Sequence, residues 1–121
     1  MRDYTKIEAW KLADDLTVAV YQCTQAFPRE EIYGLTSQLR RASYSVPANI
    51  AEGYGRRSDK EFSNFLNIAH GSIAETQSHL YVALDLNYLN QIDFETLYGL
   101  FDEGSKMVMS LTKHLKAPMT P

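Results

Sequence analysis

The chain has 121 residues, 45% hydrophobic and 22% charged, which fits one globular domain with its own core. With 12 Lys and Arg against 15 Asp and Glu, the net charge of −3 excludes a global pull toward nucleic acid or anionic membrane and leaves only local basic patches for such binding. The single cysteine, Cys23, excludes an intrachain disulfide and a cysteine metal cluster.

The opening "MRDYTKIEAW" has no apolar core of a secretory signal. No apolar run approaches the roughly 18 residues of a membrane span. The expectation is a cytoplasmic protein, away from the membrane. Thr5 and Glu8 have the spacing of a capping box for a first helix. Leu12, Leu16, Val20, Cys23 and Phe27 form its apolar stripe, with Cys23 read as a buried, inert thiol, and Pro28 stops it.

"PREEIYG" reads as a connection with room for one helical turn. The second helix is expected to start at Thr36 as cap and to run through Leu39, Ala42, Val46 and Ile50. It should end at Gly53 or Gly55 in the left-handed conformation. Pro47 lies inside it. Apolar spacing stays in phase across the proline, which favours one helix kinked at Pro47 over a new helix beginning there. The third helix opens on a capping box, Ser58 with Glu61, and continues to about Tyr88 with Phe62, Leu66, Ala69, Ile73, Thr76 and Leu80 inward. The fourth, capped by Asp93, carries Phe94, Leu97, Phe101, Gly104, Val108 and Leu111 in alternating steps of three and four. Gly104 in that seam suggests close approach by a neighbour. Short connections between long helices predict an all-α, antiparallel up-down-up-down four-helix bundle.

Level pairing of the second and third helices about "GYGRRS" puts Ala42 beside Gly71, and Gln38 and Arg41 beside Ser72 and Glu75. Asn49 and Glu52 share one helical face. Gln38, Arg41, Asn49, Glu52, Ser72 and Glu75 then read either as a hydrogen-bonded layer, with an Arg41–Glu75 contact, or as a binding pocket. Ile68, Val82, Leu86, Leu100 and Met107 fall outside the main stripes, which points to a cyclic homo-oligomer.

Catalytic patterns are absent from the sequence. Glu75 and His79 lack the Glu-x-x-His spacing of a di-iron bundle, and His70, His79 and His114 lack zinc spacing. There is no phosphate loop, and "GYGRRS" is no dinucleotide fingerprint. The expectation is no enzyme, no metal and no cofactor. What remains is basic: Arg56 and Arg57 at the turn, Lys60 one helical turn on, and Arg40 on helix two. These can contact phosphates, and Tyr54 can stack on a base. The alternative is a solvated turn with cations near a helix C-terminus.

The segments "FPREE", "QLRRA", "SVPANIAEG" and "GSIAE" together resemble the bacterial four-helix proteins encoded by intervening sequences in 23S ribosomal RNA genes. The chain is also similar to the accessory variability proteins of diversity-generating retroelements. The resemblance runs from about Tyr4 to Leu115. It implies an antiparallel bundle assembled into a homopentameric barrel without known catalysis. In the retroelement branch it implies a basic assembly that binds nucleic acid and partners a reverse transcriptase; this chain departs from that branch in its acidic balance. Two functions stay open: a non-enzymatic ring binding RNA or DNA through Arg40, Tyr54, Arg56, Arg57 and Lys60, or a protein–protein adaptor ring.

Overall fold

The computed structural model describes residues 3–116. Four helices follow in order: α1 (Glu8–Thr24), α2 (Leu35–Tyr54), α3 (Asp59–Asp85) and α4 (Gln91–Lys116). Short 3₁₀ turns stand at Tyr4–Lys6 and Arg29–Glu31, the latter being the turn expected in "PREEIYG". Each helix packs on the next in the chain, and α1 also packs on α4, closing the bundle. The expected stripes meet inside: Leu16, Val20, Leu39, Val46, Ile50, Leu66, Ile73, Leu80, Phe101 and Val108 are all nearly solvent-free.

The helix ends differ from the sequence expectation in instructive ways. Thr5 does not cap α1. Asp3 accepts hydrogen bonds from both its N–H and its hydroxyl, so those groups hold the 3₁₀ turn and α1 begins after Ile7 with no side-chain cap. Nor does Thr36 cap α2. Glu31 reaches forward to accept the Leu35 N–H at 3.0 Å, and Thr36 is buried in the first turn. The expected Ser58 cap of α3 is present, accepting the Glu61 N–H at 3.2 Å.

α3 stops at Asp85, before the expected Tyr88, because Asn87 adopts φ 63° and turns the chain. Tyr88 N–H then bonds to Ala83 C=O and Asn87 N–H to Leu84 C=O, a Schellman closure. On α4 the cap is Asn90, not Asp93. Asn90 Oδ1 accepts the Asp93 N–H at 2.7 Å while its Nδ2 donates back to the Asp93 carboxylate. Both connections at this end are joined by Glu31, whose second oxygen accepts the Tyr88 hydroxyl at 2.9 Å.

α2 runs unbroken through Pro47. Proline cannot donate to the carbonyl of Ser43, four residues back, and Ser43 is buried, so an empty acceptor there would be costly. Thr17 of α1 offers the nearest donor, a single hydroxyl proton shared between Ser43 O at 3.1 Å and its own Ala13 O at 2.9 Å.

The glycines of α2 do not act as left-handed caps, since no glycine has positive φ among the described residues. Gly55 ends the helix in right-handed geometry. Gly53 is buried against α3: a Cβ there would stand 2.6 Å from Phe65 Cβ and 2.9 Å from Phe62 Cδ1. Gly104 is also closely packed, but by a side chain, Leu16 Cδ1 at 3.4 Å from the missing Cβ. Gly71 is exposed with nothing near it, so the Ala42–Gly71 pairing does not form. Helical side chains lean toward their own N-terminus, so contacts in an antiparallel pair fall further along both helices than level pairing suggests. Ser45 therefore meets Ser72, and Gly53 meets Phe65.

Candidate nucleic-acid interface

The α2–α3 turn is fixed on both sides. Behind it, Tyr54 packs edge-on against Phe62 at 5.7 Å between ring centres and is half-buried against the core. Ahead of it, Ser58 caps α3. The turn's cations divide into two kinds. Arg56 is held: its Nη2 donates to Glu52 Oε1 at 2.9 Å, and its guanidinium lies 4.8 Å from the centre of the Phe65 ring. Arg57 and Lys60 are exposed and form no hydrogen bond or ion pair among the described residues. Arg57 stands just past the C-terminus of α2, where cations are favoured, while Lys60 lies in the first turn of α3.

Arg40 does not join this group. Sixteen residues earlier on α2, it sits roughly 24 Å along the axis at ~1.5 Å per residue. There Nε donates to Thr24 Oγ1 at 2.8 Å, Nη2 to Tyr21 O at 3.4 Å, and the guanidinium lies over the Tyr21 ring. Its work is to close the C-terminal end of α1. Tyr54 likewise packs one face of its environment against Phe62 instead of standing clear of the turn.

The expected polar layer is smaller than its sequence outline and has a different centre. Ser45, which the pairing scheme passed over, is that centre: its hydroxyl lies 2.8 Å from Ser72 Oγ, and Asn49 Nδ2 donates to both its carbonyl and its hydroxyl. Thr76 Oγ1 adds a bond to Ser72 O. Gln38, Arg41, Glu52 and Glu75 are exposed. Arg41 and Glu75 do not pair. Glu75 instead faces His79 on its own helix at 3.6 Å, because the true register carries Arg41 a turn away. Across the bundle, His70 bonds to Ser105 and Gln77 Nε2 bonds to Tyr98 O and Asp102, so these polar groups join α3 to α4.

Beside Arg56 a shallow groove of about 770 Å³ opens on α2. Ala48, Asn49 and Glu52 line it along α2, with Tyr4 of the first 3₁₀ turn and Phe65 of α3 also on its lining. Tyr4 is braced edge-on by Trp10 at 5.1 Å. Half of "SVPANIAEG" thus faces outward into this groove, while Val46, Pro47, Ile50 and Gly53 face the core.

Elsewhere, Cys23 is half-buried, and its thiol is pushed up to about 11 by burial first, then by the Asp93 carboxylate, against the opposing pull of Arg40. Among the described residues no group of three or more His, Cys, Asp or Glu is placed to hold a metal ion, and no helix is long and apolar enough to cross a membrane. Ile68, Val82, Leu86 and Met107 are exposed as the sequence suggested, whereas Leu100 is partly buried against the core.

No curated protein matches the chain. Among solved structures, the chain is similar to a protein of unknown function from the S23 ribosomal protein family of Bacteroides thetaiotaomicron. The match has 23% identity and a TM-score of 0.78, covering 87% of this chain and 98% of that one. That likeness concerns the fold. The family model described as 23S rRNA-intervening sequence protein matches residues 5–110, and the chain belongs to that family.

Proposed function

We propose that this protein is a non-enzymatic, cytoplasmic assembly protein: one bundle domain per chain, joined in a cyclic homo-oligomer that binds RNA or DNA. Five copies follow from the family resemblance. The observation that carries the binding is the pair of exposed cations, Arg57 on the turn and Lys60 in the first turn of α3, which form no hydrogen bond or ion pair among the described residues. Arg56 beside them is ion-paired with Glu52, so the free positive charge is that of Arg57 and Lys60. A ring repeats this group at each subunit, turning modest phosphate contacts into a multivalent surface. Net charge does not decide such contacts, because screening confines them to ~8 Å at physiological salt. The exposed apolar residues Ile68, Val82, Leu86 and Met107 supply surface for assembly.

Two measurements test the two halves of the proposal. Light scattering at micromolar concentration should give a multiple of the 13.8 kDa chain mass, and a monomer would remove the ring. Retention of RNA or DNA on a filter at low salt should be seen with the wild-type protein. If none is retained, the adaptor reading replaces it. One observation favours that reading: Tyr33 is 94% exposed and Ile92 75% exposed, large apolar groups with no role inside the bundle.

A further inference from the structure

We infer that the groove beside Arg56 is a pocket for a single unpaired nucleobase, with guanine preferred and uracil disfavoured; this rests on the nucleic-acid reading above and gives it a base-level site. The α2 side of the groove presents two acceptors. Asn49 Nδ2 is committed to Ser45 O and Oγ, which turns the amide so that Oδ1 is its remaining polar atom. Glu52 gives one oxygen, Oε1, to Arg56, leaving Oε2. The two residues are three apart on α2 and so share a face. Ala48 on the same stretch is small and leaves room for a flat ring.

The flanks suit a base. Tyr4 offers an aromatic surface, and the Phe65–Arg56 stack offers a guanidinium plane of the kind on which bases stack in single-stranded recognition. Two acceptors match an edge made of donors. Guanine presents N1–H and the N2 amino group side by side on its Watson–Crick edge. Uracil sets O2 and O4 on either side of one N–H, opposing acceptors with acceptors. Adenine and cytosine, with one amino group each, fall between. Arg57 follows Arg56 directly on the turn and is exposed for the phosphate of a base seated in the groove, whereas Lys60 lines a separate groove of α3 with Asn64, Asn67 and Leu115.

Calorimetric titration of the full chain with 5′-GMP and with 5′-UMP tests this, with emission of Trp10, the sole tryptophan and a neighbour of Tyr4, as a second readout. GMP should bind at least about tenfold tighter than UMP, the discrimination of one well-made pair of base-edge hydrogen bonds, and should change Trp10 emission saturably. Glu52→Gln is the decisive variant. Its amide oxygen stays with Arg56 while its NH₂ turns a donor into the groove, so GMP should weaken and the GMP/UMP ratio should collapse, at unchanged melting temperature. Equal binding of the two nucleotides, or a ratio unmoved by Glu52→Gln, overturns the pocket. Single-stranded RNA and an abasic strand of equal length separate this inference from the function beneath it. If both strands are retained equally, the pocket falls and phosphate binding stands. If GMP binds but no strand is retained, the pocket stands as a mononucleotide site and the nucleic-acid reading falls.

Discussion

Replacing Gly53 with Ala probes the close approach of α2 to α3. The added Cβ would lie 2.6 Å from Phe65 Cβ, where ordinary contact begins at 3.4 Å, so α2 and α3 must part by about 0.8 Å. Phe65 Cβ is anchored to the α3 backbone and cannot swing aside as a side-chain tip can. Over-packing of this kind costs typically ~1–3 kcal/mol, with the upper end expected here. Alanine's better helix propensity returns ~1 kcal/mol. The net loss is about 2 kcal/mol, or roughly 8 °C in melting temperature for a chain of this size. Gly71→Ala is the matched control. Nothing lies within 4 Å of its missing Cβ, so the same substitution on the neighbouring helix should stabilise by ~0.5–1 kcal/mol. Urea denaturation followed by far-UV circular dichroism measures both. If Gly53→Ala stabilised as Gly71→Ala does, the close approach of α2 to α3 at this point would be wrong.

Thr17→Val should cost ~1–3 kcal/mol by stranding the buried Ser43 carbonyl, and less in a Pro47→Ala background, where residue 47 regains its N–H; additive effects in the double-mutant cycle would contradict the pairing. Cys23 should alkylate in the native protein with a half-maximal rate near pH 11, against 9.0 for an ordinary thiol. Because its folded value is the higher one, its contribution to stability is complete below pH 9 and is lost as pH rises toward 11; a native midpoint near 9 would place the thiol in solvent. Glu31→Ala should cost ~1–2 kcal/mol by freeing the Leu35 N–H and the Tyr88 hydroxyl together. Glu31's hydrogen bond is the first cause of Tyr88's raised pKa, so ultraviolet titration should show that tyrosine ionising at lower pH in the variant.

The helices were legible because apolar residues at steps of three and four, with few β-branched competitors, leave one consistent burial pattern. From Leu16 to Val108 the inward residues named from the sequence are buried, except Cys23, which is half-buried. Details that depend on a second element were not legible. Thr17 looks like an ordinary helix residue until Pro47 is placed opposite it. Glu31 looks like a loop charge until Tyr88 arrives from the far connection. Asn90 and Asp93 both suit a helix start, and only backbone geometry chose between them. Register failed for a directional reason: the level pairing ignored the lean of helical side chains, so Arg41 was set against Glu75 when Ser45 and Ser72 are the true neighbours. Of the site, the turn cations were readable from "GYGRRS", while the groove was not, because it needs Tyr4 and Phe65 from distant parts of the chain.

The central claim is that Arg57 and Lys60 meet phosphates, and the salt dependence of RNA binding tests it most directly. Fluorescence anisotropy of a labelled single strand should show affinity falling steeply with salt for the wild type, since each phosphate contact releases condensed counterions. The variant Arg57→Ala/Lys60→Ala should bind more weakly across all sequences, with unchanged assembly. Its log–log slope should be shallower by about 1.4 for each subunit engaged, two contacts at ~0.7 apiece. A wild-type protein that binds no strand at the lowest salt, or a slope that the double substitution leaves unchanged, would contradict the account.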